Sequence, residues 1–290
     1  MTTTKHTAHW TLEALAQAGV KTIVFSPGSR NAPLIIAAEA LGTFEMMVLG
    51  DERSAAFHAL GRSQVIGTPV AVCCTSGSAL ANYYPAVLEA YYGHVPLIVL
   101  SADRPEDRIN KGEGQTCVQR EFYEPHVAAS IQIDEEGSYE QVQAALQYAI
   151  QAMFFEMRPI HLNVAFHEPL YEQGEAPKTM QLELAADHFV KHGLSESIVL
   201  PDFSKFESVA VIAGQLLPTE SEMVRMLLDE GVDWTLFADP MSGLLDHPNT
   251  SPMEALLNLQ PDAVLSIGGQ WINKKPKQYL RGLGIQKHVH

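Results

Sequence analysis

Apolar side chains recur at helical spacing over residues 8–18 and Gly19 follows them, so the chain is expected to open with a helix closed by a glycine. A short apolar run, KTIVF, then reads as a strand. Further runs, FEMMVLG, PVAVCCT, VPLIVLS and IHLNVAF, read as buried strands, separated by the helical stretches Ser54–Gln64, Ser78–Tyr92 and Tyr139–Met157. Strands alternating with helices in this way predict an α/β fold with a parallel sheet. Between Glu168 and Phe206 the periodicity lapses into EPLYEQGEAPKTM, rich in Pro, Gly and charge, as a linker is. A second series follows: strands at SVAVIAG, DWTLFAD and AVLSIGG, a helix at SEMVRMLLDEG ending on Gly231, and a strand just starting at KHVH. The chain thus stops inside a β/α series at His290, which reads as truncation.

At 290 residues the chain is long enough for two domains, each with its own core. A formal charge of −15 with 19 Lys and Arg argues against a nucleic-acid partner and turns attention to any arginine held in a strand-to-helix turn. There is no apolar run long enough for a membrane span, and MTTTKHTAHW lacks the apolar stretch of a secretory signal, so a cytoplasmic location is expected. Cys73, Cys74 and Cys117 have neither disulfide-framework nor metal spacing and read as buried thiols.

In parallel sheets, ligands collect at the carboxyl ends of strands, where this chain has four notable turns. SPGSRNAPL carries Ser29 and Arg30 after a Pro27-Gly28 turn; Asp51, Glu52 and Arg53 follow MMVLG; TSGSALANYYP brings Thr75, Ser76 and Ser78 around Gly77; ADRPEDR brings Asp103 and Arg104. Each has an ordinary reading too. Asp51 suits a helix N-cap, with Glu52 and Arg53 in a solvated first turn. All four turns nevertheless fall at one end of one expected sheet, so two arginines, an acid and several hydroxyls are expected to converge, and paired arginines suit carboxylates. GxGxxG after the first strand, GxxxxGK[ST] and GxSxG are absent, which weakens a dinucleotide oxidoreductase, P-loop or hydrolase reading. The pairs His6/His9 and His288/His290 lack acids or cysteines at ligand spacing, and no metal site is expected from them.

Together, FSPGSRNAPL, GDERSAAFHALG, CCTSGSALANYYPAVLEAYYGHVPLIVLSADRP and HLNVAFHEPLY resemble the N-terminal half of the 2-succinyl-5-enolpyruvyl-6-hydroxy-3-cyclohexene-1-carboxylate synthases, thiamine diphosphate enzymes of menaquinone biosynthesis. The match is close over about residues 1–175 and looser beyond, where IGGQWINKKPKQYL resembles the family's central-domain lysine segment. The resemblance implies a pyrimidine-binding domain at 1–175, a linker at 176–206 and a truncated Rossmann-like central domain at 207–290. The family's diphosphate-binding domain, with the GDG motif that holds magnesium, has no counterpart in this sequence, so a fragment inactive alone is implied.

Carried over by position, Glu52 matches the family's glutamate that shares a proton with the cofactor's aminopyrimidine ring, and Thr75, Ser76 and Asn82 match neighbours of that ring. Arg30 and Arg104, with Ser29 and Gln115, match the groups that bind isochorismate, and Lys274, or Lys275 beside it, matches the substrate-side lysine. The implied reaction decarboxylates 2-oxoglutarate and adds the product to isochorismate, in a homodimer or homotetramer. Asn31 departs from the family's pattern, which favours a small hydroxyl residue there; a tolerated change is expected because the Ser-Arg pair is intact. Two alternatives stay open: a separate pyrimidine-binding subunit of another thiamine diphosphate enzyme, and a non-catalytic α/β module that binds an anion.

Overall fold

The computed structural model describes residues 1–184, 202–229, 236–285 and 287–289. The chain divides into two compact units, Met1–His192 and Gly193–His290.

In the first unit the elements follow in the order β1 (Thr2–Thr3), α1 (His6–Gln17), β2 (Thr22–Phe25), α2 (Ala32–Leu41), β3 (Glu45–Val48), α3 (Glu52–Ile66), β4 (Val70–Cys74), α4 (Ala79–Tyr92), β5 (Leu97–Asp103), β6 (Ala129–Ile133), α5 (Tyr139–Glu156), β7 (Ile160–Ala165) and β8 (Gln173–Gly174). Six of the strands form a parallel sheet in the order β3-β2-β4-β5-β7-β6. This is the α/β layout expected from the alternation of apolar runs and helices. The local signals act as their chemistry dictates. Gly19 takes φ +80 behind α1, Asp51 accepts from Ser54 N at 2.7 Å to cap α3, and Ser138 and Gln141 form a reciprocal capping box on α5.

One face of the sheet packs on α1, α2 and α5. Ile23, Phe25, Ile98, Leu100, Leu146 and Ile150 belong to that core. The helices α3 and α4 pack against each other and against the strands. The centre of the sheet is buried throughout, whereas β3 is an edge strand: Glu45 and Val48 are exposed and Met46 and Met47 half-buried. The expectation that FEMMVLG forms a buried strand is therefore corrected. Burial follows from neighbours on both sides, and β3 has one.

Composition marks 168–184 as the start of a linker, yet the segment is docked. β8 pairs antiparallel with β1, Trp10 Nε1 donates to Lys178 O at 2.8 Å, and Met180 is buried in the core over α1. Of the rest of the expected linker, residues 185–201 lie outside the described residues.

In the second unit, β9 (Val209–Ala213), α6 (Pro218–Asp229), β10 (Leu236–Ala238), β11 (Thr250–Pro252), β12 (Ala263–Ile267), α7 (Lys274–Gly282) and β13 (Lys287–Val289) build a parallel sheet in the order β11-β10-β9-β12-β13. The strand β11 and the helix α7 escaped the periodicity reading, and the expected helix end at Gly231 lies outside the described residues. Strand order reverses between β9 and β12, the place where such sheets hold nucleotides. Here the turns beyond those strands bond each other: Gln215 N donates to Gln270 O at 3.0 Å and Gly269 N to Gln215 O at 2.7 Å. Buried Asp239 then accepts from Ile272 N at 2.8 Å.

Candidate active site

Parallel pairing brings the ends of β2, β3, β4 and β5 to the same edge of the first unit, so the four turns share that edge. The turn after β2 rests directly on the turn after β4. A Cβ at Gly28 would lie 2.4 Å from Thr75 Cβ, which leaves room only for glycine and makes half-buried Thr75 the floor of the turn. Gly77 takes φ +83 and lies beneath the backbone of Gln115, 3.1 Å from the place of a Cβ.

Arg30 is buried, with its side chain 8% exposed. Its Nη1 donates to Phe166 O at 3.0 Å and its Nη2 to Glu168 Oε1 at 2.9 Å, while the buried Nε has no acceptor among the described residues. Arg104 Nη1 donates to Ser76 Oγ at 2.6 Å and to Gln115 O at 2.7 Å, and its Nε lies 3.5 Å from Glu113 Oε2. Arg108 joins Glu113 at 2.9 Å. These three arginines, with Glu113, His167 and Glu168, line a cavity of about 160 Å³. Two carboxylates of the chain itself thus occupy positions where an anionic ligand would meet the guanidinium groups.

Glu52 sits apart from that cavity. It is the first residue of α3, half-buried, and the exposed Asn82 of α4 donates from Nδ2 to its Oε2 at 3.2 Å. Asp51 is the cap, with the Ser54 N–H holding its carboxyl below the usual range, while Glu52, expected in a solvated first turn, is half-buried and faces a neighbouring helix. The expected convergence of acid and arginines is therefore corrected to two adjacent groupings, Arg30 with Arg104 in one and Glu52 with Asn82 in the other. Glu52 follows the edge strand β3, whereas Arg104 follows β5, separated from it by β2 and β4; Arg30 follows β2, beside β3, but its guanidinium is held by Phe166 O and Glu168.

Other assignments shift in detail. Ser29 is exposed, and Ser76 is buried with its hydroxyl on Arg104, which gives it a contact other than the one expected beside the pyrimidine. Gln115 takes φ +56 and meets Arg104 through its backbone carbonyl, its residue otherwise exposed, in place of the expected side-chain amide. Lys274 is the exposed first residue of α7 in the second unit, where Asn273 caps the helix by accepting from Lys275 N at 3.2 Å. Asn31 is fully buried: its Nδ2 donates to Ser26 O at 3.0 Å, closing the turn from within. Cys73 and Cys74 are buried, and burial pushes the Cys73 thiol up to about 12 and Cys74 up as well; Cys117 is half-buried, short of the expected full burial.

A buried polar row under Arg104 was not anticipated. Side chains alternate faces along a strand, and on the face of β5, β7 and β6 opposite the α1–α2–α5 core stand Ser101 and Asp103, His161 and Asn163, and Ser130 and Gln132. Ser101 Oγ donates to Asn163 Oδ1 at 2.6 Å, so its lone proton is spent and His161 Nε2–H must donate to Ser101 Oγ at 2.7 Å. His161 Nδ1 then accepts from Ser130 Oγ at 3.2 Å. Burial holds His161 neutral, its pKa lowered to about 3. Burial also pushes the Asp103 carboxyl up, against the hydrogen bonds from Asn163 and Arg104 N. The signal was present in polar residues spaced two apart within apolar runs: LSAD, IHLN and ASIQ.

Residues 5–124 match the family model described as thiamine pyrophosphate enzyme, N-terminal TPP binding domain. The matched residues lie within the first unit. Over most of its length the chain is similar to curated 2-succinyl-5-enolpyruvyl-6-hydroxy-3-cyclohexene-1-carboxylate synthases, as the resemblance of its turns implied. It is 33% identical to the synthase of Christiangramia forsetii over 93% of this chain and 53% of the relative. It is 33% identical to that of Flavobacterium johnsoniae over 96% and 52%, and 35% identical to that of Cytophaga hutchinsonii over 93% and 51%. The chain spans about half the length of these curated relatives. No described helix is long and apolar enough to cross a membrane.

Proposed function

We propose that this chain is the N-terminal part of a transferase that decarboxylates 2-oxoglutarate and adds the succinyl unit to isochorismate in menaquinone biosynthesis. Its share of the work is the pyrimidine half of a thiamine diphosphate site and the anion pocket beside it. The observation that carries the reading is the pairing of Arg30 and Arg104 in one small cavity at the carboxyl edge of a parallel sheet. Guanidinium groups bind carboxylates in planar, charge-assisted contacts, and isochorismate is a dicarboxylate. Each carboxylate exchanges with one of the chain's own, Glu168 on Arg30 and Glu113 on Arg104. Glu168, its side chain 75% exposed, returns to water at little cost, and the incoming carboxylate takes its place on buried Arg30. Ser29 and Gln115 flank this pocket, and Lys274 is assigned to the substrate side.

The Glu52–Asn82 pair has the donor set an aminopyrimidine needs: a carboxylate able to share a proton with a ring nitrogen, fixed by an amide, and open to solvent on one side. Thiamine diphosphate, when bound, supplies the electron sink for loss of carbon dioxide and transfer of the acyl unit. Glu52 holds and returns the proton at its carboxylate, Asn82 keeps that carboxylate in place, and Thr75 and Ser76 shape the wall between pyrimidine and arginines. The diphosphate and its Mg2+ are assigned to the diphosphate-binding domain that the family resemblance implies. Residues 1–175 form the pyrimidine-binding domain, 176–206 the linker and 207–290 part of a central domain. The protein is cytoplasmic and works as a homodimer or homotetramer; Val48 and Phe57, exposed on the elements flanking Glu52, suit burial against a second copy.

The test uses the full-length enzyme. Glu52→Gln should abolish carboligation while the protein stays folded, and Arg104→Ala should raise KM for isochorismate far more than KM for 2-oxoglutarate. Normal turnover in the Glu52 variant would remove its assigned role.

A further inference from the structure

Asn163 lies at the centre of the polar row with its amide fully used. Its Oδ1 accepts from Ser101 Oγ at 2.6 Å and from Gln119 Nε2 at 2.8 Å, and its Nδ2 donates to Asp103 Oδ2 at 2.8 Å and to Gln132 Oε1 at 2.7 Å. Two donated and two accepted bonds are the working capacity of a primary amide. Followed outward, these bonds close a circuit. Asp103 Oδ1 accepts from Arg104 N at 2.7 Å, and Arg104 Nη1 reaches Ser76 Oγ at 2.6 Å. The next residue, Gly77, donates its N–H to Gln119 Oε1 at 2.8 Å, and Gln119 returns to Asn163. Asp103, Asn163, Gln119 and Ser76 are all at most 1% exposed, so water cannot substitute for a missing member.

We propose that Asn163, acting with Gln119, is a positioning residue that sets Arg104 in the anion pocket; the proposal rests on the reading of Arg104 as a receiver of substrate carboxylate. The circuit grips Arg104 at both ends, backbone N–H and guanidinium, and ties the turn after β5 to the turn after β4. An arginine has several rotatable bonds, and bidentate binding of a carboxylate requires its plane to be set in advance. Nothing in the row touches the cavity directly through Asn163, so its influence passes through Arg104 and the Ser76–Gly77 turn. Only an amide serves at this position. A carboxylate would lose both donated bonds and face Asp103, and an aliphatic side chain would strand all four partners.

The experiment is a double-mutant cycle in the full-length holoenzyme. Asn163→Ala should raise KM for isochorismate on the order of tenfold, with kcat and KM for 2-oxoglutarate changed much less. Because the residue works through Arg104, the Arg104→Ala/Asn163→Ala double variant should be no weaker than Arg104→Ala within about twofold. Should Asn163→Ala fail to fold, Gln119→Glu, which keeps the acceptor for Gly77 N–H and loses the donor to Asn163, carries the same cycle. Additive effects, or an unchanged isochorismate KM in either variant, overturn the positioning role alone. An unchanged isochorismate KM in Arg104→Ala itself overturns the assignment of Arg104, and the positioning role with it.

Discussion

Acidification should unfold this protein partly through one imidazole. His161 is fully buried between Ser101 and Ser130, with its ring against the edge of Tyr123 at 4.8 Å, and its pKa is lowered from 6.5 to about 3. A depressed folded-state pKa means that the native state refuses a proton the unfolded chain accepts. The stabilising contribution is therefore present above pH 6.5 and is lost as pH falls from there toward about 3. Each unit of pKa difference is worth about 1.4 kcal/mol, so moving from pH 7.5 to pH 5.0 removes roughly 2 kcal/mol through this group. The assay compares urea unfolding of the native sequence and His161→Gln at both pH values. Other titrating groups contribute equally to the two proteins and cancel in the difference. The variant is the weaker of the pair at pH 7.5, and its deficit should shrink by about 2 kcal/mol at pH 5.0. A deficit that is the same at both pH values, or larger at the lower one, refutes the reasoning and means that His161 is not held neutral by burial.

Two further outcomes follow from packing. Gly28→Ala should cost about 1–3 kcal/mol and disturb the site edge, because the new methyl meets Thr75 Cβ; trimming Thr75 to Ala should fail to rescue it, since that Cβ remains, and thermal unfolding of the single and double variants decides the matter. With an aromatic disulfide reagent, half-buried Cys117 should react first, while Cys73 and Cys74 wait for unfolding; simultaneous release of all three thiols in the native protein would contradict their burial.

Much of the site was legible from short stretches. Ser-Pro-Gly-Ser-Arg, Asp-Glu-Arg and Ser-Ala-Asp-Arg are turn chemistries at the ends of apolar runs, and a parallel sheet obliges such turns to share an edge. Partners were not legible. That Ser76 holds Arg104, that Glu168 lies on Arg30, and that Gln119, from a loop without periodicity, reaches Gly77 depend on contacts across 28, 138 and 42 residues.

The sequence by itself determined the local elements: the glycine after α1, the Asp51 cap, the alternation within each strand and the residue types at each turn. These depend on backbone sterics and on bonds between residues a few positions apart, so the nearby chain suffices to specify them. Tertiary structure decided which strand lies at the edge, and so why β3 is exposed and Glu52 stands apart from Arg104. It also decided the register that sets Ser101, Asn163 and Gln132 side by side. Alternation along one strand says which side chains share a face; only pairing between strands says which of them meet, because that is fixed by hydrogen bonds and burial summed over the whole sheet.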